Sequence, residues 1–127
     1  MEASVPLNKP WQSWQPGREH ERRLSNTLGV YEIGDEAGEI VYIGFAGGRS
    51  LFGLRGELKH HFEGAANAVT AERGRQFRYE INMQYMSRYR DLLQRFNEDH
   101  DRLPPGNQQP GEYVPTLGRF HWKSSSA

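Results

Sequence analysis

Two short apolar runs joined by a loop of turn-forming residues constrain the fold of this chain more than any other feature. The first run spans residues 28–33, the second spans residues 40–45, and the sequence GDEAG separates them. Two strand-like runs joined by about five residues that include glycine are typical of a β-hairpin. The second run is almost continuously apolar, so we expect a central strand that is buried on both faces.

The residues after this hairpin predict two helices and a third strand. Ser50 fits an N-cap, and apolar residues then recur in steps of three and four until the helix ends near Gly64: Leu51, Leu54, Leu58 and Phe62. Residues 77–81 alternate between apolar and polar, as in a half-exposed strand, and residues 84–100 carry a second helical stripe. The small, polar residues 65–76 are compatible with either a loop or a helical turn. The order β-β-α-β-α predicts an α+β fold, a small and mainly antiparallel three-stranded sheet with flanking helices.

The chain has 127 residues, a length typical of one domain. We divide it into an irregular arm with tryptophan and proline (residues 1–24), a body (residues 25–107) and an extended tail (residues 108–127). Two readings of Trp11 and Trp14 stay open, because exposed tryptophan in an arm is unfavourable. Either both side chains fold back onto the body, or the arm or the tail docks on a protein partner.

Composition excludes several classes of protein. Sixteen basic residues balance sixteen acidic ones, so a nucleic-acid binder of this composition needs a local basic face. The absence of cysteine excludes disulfides, thiolate zinc sites and a cysteine nucleophile. No apolar run approaches the roughly 18 residues of a membrane span, and residues 1–10 contain no apolar segment typical of a signal peptide. We therefore expect a cytoplasmic protein that does not act on a membrane.

The hairpin resembles that of GIY-YIG nuclease domains. Gly29-Val30-Tyr31 lies on the first predicted strand and Tyr42-Ile43-Gly44 lies on the second, at the spacing of that family. Arg55 lies in the following helix, where the family has an arginine. The resemblance extends over residues 28–107 and implies a GIY-YIG-like fold.

The resemblance also implies candidate site residues for metal-dependent cleavage of phosphodiester bonds. Tyr31 would be the base-like tyrosine, Tyr42 its hydrogen-bonded neighbour, and Arg55 the ligand of the scissile phosphate, with His60 or His61 as a helper. Asn107 resembles the asparagine that closes the family's domain. The tyrosines can equally be packing residues and the histidines a solvated helix end. Arg55 lies between Leu51 and Leu58 on the helical period, so we expect it on the core-facing side, with either a ligand or an ion-pair partner.

A metal ligand is missing from the predicted site. The family holds Mg²⁺ or Mn²⁺ with a glutamate on the helix after the third strand. On the helical wheel of residues 84–100, Asp91 and Glu98 point away from the apolar stripe, and Asp99 lies far along the helix. On the third predicted strand, Glu80 lies on the face opposite to that of Phe77. The sequence therefore gives no cation ligand and predicts no cofactor unless the protein is an active nuclease.

A run of arginines offers a separate surface for nucleic acid. Between residues 73 and 95 six arginines accompany only Glu80 and Asp91, a local charge of +4: Arg73, Arg75, Arg78, Arg88, Arg90 and Arg95. Such an excess can bind a phosphate backbone, and interleaved tyrosines can stack on bases. The alternative is a solvated surface on which these arginines pair with Glu57, Glu63, Glu72 or the acidic residues between 98 and 101.

Three functions follow from these observations. A catalytically degenerate GIY-YIG-like module that works by binding, or as a small accessory subunit, ranks first because no inner carboxylate is found. An active metal-dependent endonuclease that cleaves DNA ranks second. A structural protein with a chance motif ranks third.

Overall fold

The computed structural model describes residues 6–15, 24, 26–48, 50, 52–64 and 66–117. The elements in chain order are strand β1 (Gly29–Gly34), strand β2 (Ile40–Ala46), helix α1 (Gly53–Glu63), helix α2 (Ala68–Arg73), strand β3 (Gln76–Ile81), helix α3 (Tyr85–His100) and a 3₁₀-helix (Pro105–Gln108). All strand pairs are antiparallel. The predicted α+β fold with a three-stranded sheet is therefore confirmed, and the undecided residues 65–76 contribute helix α2. Within the described ranges, no helix is long and apolar enough to cross a bilayer.

The sheet has the strand order β2-β1-β3, so the central strand is β1. The prediction that β2 is central was wrong, although β2 is almost entirely buried. Its open edge is covered by the side chain of Asn107, which accepts from the Ile43 N–H at 2.9 Å and donates to the Ile43 C=O at 2.8 Å. An edge strand covered in this way needs the same apolar side chains as a central one, and local sequence does not distinguish the two cases.

Helix α1 begins later than its sequence predicts. Phe52 precedes the helix in the left-handed region, with a φ of 63°, and makes no side-chain cap. The Ser50 hydroxyl instead accepts from the Gly47 N–H at 3.0 Å, and Leu51 lies outside the described residues. The helix does not need a side-chain cap, because N–H groups of its first turn donate to backbone C=O groups before β1. Leu54 donates to Thr27 at 2.9 Å, and Arg55 donates to Leu24 at 3.1 Å.

The sheet separates two clusters of buried side chains. Alternation along β1 directs Val30 towards α3 and Tyr31 and Ile33 towards α1. The buried side chains of α3 are Tyr89, Leu92, Leu93, Phe96 and Asn97, so no carboxylate lies on its buried face, as the helical wheel predicts. This two-sided arrangement places the Tyr31 side chain between the sheet and α1.

The described part of the N-terminal arm, residues 6–15, packs on the body. Leu7 is buried in the cluster beneath α3, and Gln12 pairs with Phe77 at the outer edge of β3. On the other face, the Trp14 ring stacks on Phe62 with centroids 5.9 Å apart. The arm therefore crosses the edge of the sheet and contributes to both clusters, and the tryptophans take the fold-back position.

The C-terminal residues 109–117, here called the strap, also pack on the body. The C=O of Tyr113 accepts from the Tyr89 hydroxyl at 2.6 Å, and the C=O of Thr116 accepts from the Arg90 Nε at 2.8 Å. Leu117 is buried beside α3. The strap has no helix or strand, so side chains rather than a backbone ladder hold it.

Candidate functional site

Tyr31 is the centre of a buried polar cluster. Its side chain has 0% exposure, and its hydroxyl lies 3.0 Å from His61 Nε2 and 3.2 Å from Glu57 Oε1. Leu54, Glu57 and His61 follow one another at steps of three and four, so they share the face of α1 that packs on the sheet. The structure thus brings His61 to the tyrosine as the resemblance implies, whereas His60 is exposed.

Tyr42 forms the second half of the cluster. Its ring lies 6.0 Å from the Tyr31 ring and 4.6 Å from the His61 ring. Its hydroxyl donates to Glu112 Oε1 at 2.7 Å, and the Asn67 Nδ2 donates to Glu112 Oε2 at 2.9 Å. Both oxygens of this carboxylate are therefore bound by the chain itself.

A continuous set of hydrogen bonds fixes His61 from both sides. Its Nδ1 lies 2.8 Å from the Thr70 hydroxyl, and its Nε2 faces Tyr31. The Thr70 hydroxyl donates to the Asn67 C=O at 3.2 Å, so it accepts from His61 Nδ1–H. The neutral ring then presents the lone pair of Nε2 to the Tyr31 hydroxyl, which lies between Nε2 and Glu57 Oε1.

Burial controls the ionisation of this cluster. Desolvation raises the pKa of Tyr31 and Tyr42, and the nearby carboxylates raise both further. Burial also raises the pKa of Glu57 and lowers the pKa of His61 to about 4. At neutral pH both hydroxyls stay protonated and the imidazole stays neutral. A tyrosine that activates water needs the opposite shift.

Arg55 lies beside this cluster rather than inside it. The residue is half-buried and lines an open groove of about 370 Å³ along α1, together with Lys59, His60, Glu63 and the 56%-exposed Phe52. These residues follow one helical stripe, because Phe52, Gly56, Lys59 or His60, and Glu63 recur at steps of three and four. The expectation that Arg55 lies on the core-facing side was wrong, since Leu54, Leu58 and His61 occupy that side.

The cluster does not fit a resident cation. Among the described residues no three His, Asp or Glu side chains are grouped so that they can hold a metal ion. Glu112 already accepts from Tyr42 and Asn67, and Glu57 accepts from Tyr31. A hard cation requires several oxygen ligands at once, so no chemical step is assigned to Mg²⁺ or Mn²⁺ here.

Acidic residues pair with most of the arginine run, and three of the four lie outside the range 73–95 in which the charge was counted. Four of the six arginines form ion pairs: Arg73 with Asp35 at 3.3 Å, Arg78 with Glu32 at 2.7 Å, Arg88 with Glu80 at 3.0 Å and Arg95 with Asp99 at 3.8 Å. Arg90 donates to the strap, and Arg75 donates to the C=O of Gly74 at 2.9 Å. Of the pairing partners considered from the sequence, Asp99 alone is among these four. Of the other partners, Glu80 lies on β3 within the counted range, Glu32 lies on the neighbouring strand β1, and Asp35 lies in the hairpin loop.

The sequence reasoning missed both carboxylates of the cluster. Glu57 was detectable, because the helical period that places Leu54 and Leu58 in the core also places Glu57 and His61 there. Glu112 had no local signal, since it follows Pro110 and Gly111 in an irregular segment. Asn67 was also missed; its position before a six-residue helix is an N-cap signature.

A family model described as a domain of unknown function (DUF7508) matches residues 5–99, which include Tyr31, Tyr42, Glu57, His61 and Asn67. The matched range ends before Asn107 and the strap. No curated protein sequence matches the chain.

Proposed function

The chain belongs to the DUF7508 family, and for this member we propose a GIY-YIG-like binding module or accessory subunit that binds nucleic acid without cleaving it. The observation that carries the proposal is the closed polar cluster. Tyr31 is fully buried and both tyrosine hydroxyls are hydrogen-bonded to carboxylates of the chain. A water-activating group must reach its substrate, and these hydroxyls do not.

The groove along α1 supports binding of an anionic polymer. Arg55 and Lys59 contribute two positive charges to it, His60 adds a titratable imidazole, and Glu63 is the single acidic side chain among the lining residues. The Glu63 carboxylate accepts from the Trp14 indole N–H at 2.6 Å, which ties it to the arm. Arginine binds phosphate oxygens with a planar fork and stays charged at all relevant pH values. The exposed ring of Phe52 at the rim offers a surface on which a base can stack.

An active endonuclease is the second candidate, because Glu57 and Glu112 do adjoin the two tyrosines. Under this alternative, rearrangement of the strap would have to free Glu112 before it could serve as a ligand. The two functions differ in what the protein does to a bound strand, and cleavage decides between them.

The proposed function is tested by fluorescence anisotropy with labelled single- and double-stranded DNA and RNA. We expect Arg55→Ala with Lys59→Ala to weaken binding about tenfold or more. The slope of log Kd against log salt should also become shallower, by about one for each phosphate that the variant no longer neutralises. The matched control is Arg73→Ala with Arg75→Ala, which removes the same charge from the arginine run. We expect binding by this control to change little.

An equal loss in both double variants would mean that net charge alone drives association, and a wild type without affinity would refute the proposal. Incubation with supercoiled, branched and single-stranded DNA in Mg²⁺ or Mn²⁺ provides the second readout. We expect no cleavage. Cleavage by the wild type that Tyr31→Phe abolishes would establish the nuclease instead.

A further inference from the structure

We propose that Tyr42 and Asn67 form a receptor for an oxyanion, and that the chain fills this receptor itself with the carboxylate of Glu112. The strap then acts as a built-in competitor, and a carboxylate or phosphate group of a partner takes its place when the strap is displaced. This inference is independent of the α1 groove.

The two donors are positioned by the body and not by the strap. Tyr42 is a residue of β2, and its ring lies 4.6 Å from the His61 ring. Asn67 is fixed because its Oδ1 accepts from the N–H groups of Val69 and Thr70 at 2.9 and 3.2 Å, as the N-cap of α2. This bonding leaves Nδ2 to donate to Gly106 and Glu112. Both donors are therefore oriented in advance, which lowers the entropic cost of binding an anion.

The bound group has the geometry of a ligand. The Tyr42 hydroxyl reaches one oxygen of Glu112 at 2.7 Å, and the Asn67 Nδ2 reaches the other at 2.9 Å. Hydrogen bonds from two neutral donors to an ionised carboxylate are stronger than neutral ones. The position of Glu112 at the border of the cluster leaves the site accessible once the strap moves.

The occupant lies on an irregular segment, whereas its two receptor donors lie on β2 and at the start of α2. Residues 112–117 have no helix or strand, and the turn before them contains Gly111 with a φ of 88°. The family match covers both donors and stops at residue 99, so Glu112 lies outside it. The receptor does not require this particular occupant, because any carboxylate at the same place makes the same two bonds.

Chemical rescue tests the proposal in the full chain. Glu112→Ala removes the carboxylate, and we expect it to lower the Tm. Sodium acetate or sodium phosphate should raise the Tm again by roughly 5 °C. This rescue should saturate, with half of the effect at an anion concentration on the order of millimolar. Sodium chloride at equal ionic strength is the reference. The acetate and phosphate arms show whether the receptor prefers a carboxylate or a phosphate.

Two further variants separate specific rescue from general stabilisation by salt. Glu112→Gln keeps the site filled, so its Tm should follow the chloride reference in either anion. Glu112→Ala combined with Tyr42→Phe removes one donor and should abolish the rescue. Equal responses of all variants, or no rescue of Glu112→Ala by either anion, would overturn the proposal.

Glu112→Ser is the second variant if Glu112→Ala does not fold in chloride, because a hydroxyl still fills part of the site. Folding of either variant that is recovered by refolding in acetate or phosphate counts for the receptor. Failure to fold in all three salts counts against it, since the carboxylate would then matter only as a covalent part of the strap.

Discussion

Among the described residues, Glu32 carries a deeply buried carboxylate, with a side chain that is 4% exposed between the sheet and α3. Arg78 lies opposite it on β3 and donates from Nε at 2.7 Å, while its guanidinium lies 4.1 Å from the centre of the Trp11 ring. Burial raises the pKa of Glu32, and the neighbouring Arg78 works against that rise. Arg78, which the sequence assigns to nucleic-acid binding, is thus the ion-pair partner of the buried Glu32.

We expect Arg78→Ala to lower the free energy of unfolding by about 3–5 kcal/mol, because it leaves a buried carboxylate without its partner. The matched control is Arg88→Ala, which breaks the pair with the more exposed Glu80 and should cost about 1 kcal/mol or less. Urea denaturation measures both. Equal losses would mean that burial of Glu32 is not what makes its pair important.

His61 should make stability dependent on pH in the acidic range. Its pKa falls from the usual 6.5 to about 4 because burial disfavours the charged ring. Between these values the unfolded chain binds a proton that the folded chain does not, so stability decreases as the pH falls through this window. The full effect is about 3 kcal/mol.

Thermal unfolding of the wild type and of His61→Gln at several pH values isolates this contribution. The carboxylates with raised pKa values, Glu32 and Glu57, act in the opposite direction and are present in both proteins. We expect the stability difference between the two proteins to shrink as the pH falls from 6.5 to 4. A difference that stays constant would mean that the protonation of His61 does not contribute to the pH dependence of stability.

At the scale of elements, β2 depends on a side chain from the other end of the chain. Asn107 makes two hydrogen bonds to the backbone of Ile43, as a neighbouring strand would. We expect Asn107→Ala to cost about 2–4 kcal/mol, since it leaves a buried N–H and a buried C=O unsatisfied. Amide hydrogen exchange should show the loss of protection at Ile43.

Asn107→Asp provides the control for this prediction. The carboxylate keeps an acceptor for the Ile43 N–H but loses the donor to its C=O, so protection of the amide should fall less than in the alanine variant. Loss of protection over the whole sheet in both variants would show that Asn107 contributes to global stability and not to this edge.

At the scale of the whole molecule, the described parts of the arm and the strap belong to the folded unit. Leu7, Leu24 and Leu117 are buried in the two clusters on either side of the sheet. We expect a chain truncated to residues 25–107 to lack cooperative unfolding, because burial of three leucines contributes about 5–9 kcal/mol, comparable to the total stability of a small domain. Near-ultraviolet circular dichroism and a melting curve measure this. A sharp transition at an unchanged Tm would show that the arm and strap are dispensable.

Local patterns determined the elements of this protein. Two apolar runs around a loop with glycine predicted the hairpin. Period-two spacing predicted β3, and spacing of three and four predicted α1 and α3, because the burial of one face leaves a periodic pattern in consecutive residues. The same helical period contains Glu57 and His61, so half of the candidate site was available from the sequence. The sequence also excluded cysteine chemistry.

Only the tertiary structure decided which groups meet. Asn107 covers the free edge of β2 at Ile43, which lies 64 residues away in sequence, and the second carboxylate of the cluster is 70 residues from Tyr42. Within the arginine run, Arg73 and Arg78 pair with Asp35 and Glu32, which lie 38 and 46 residues away in sequence. Burial, and with it the pKa of His61, is likewise a property of the packed chain. These contacts join distant segments that no local period connects, so the sequence alone determined the elements and the packing determined the site.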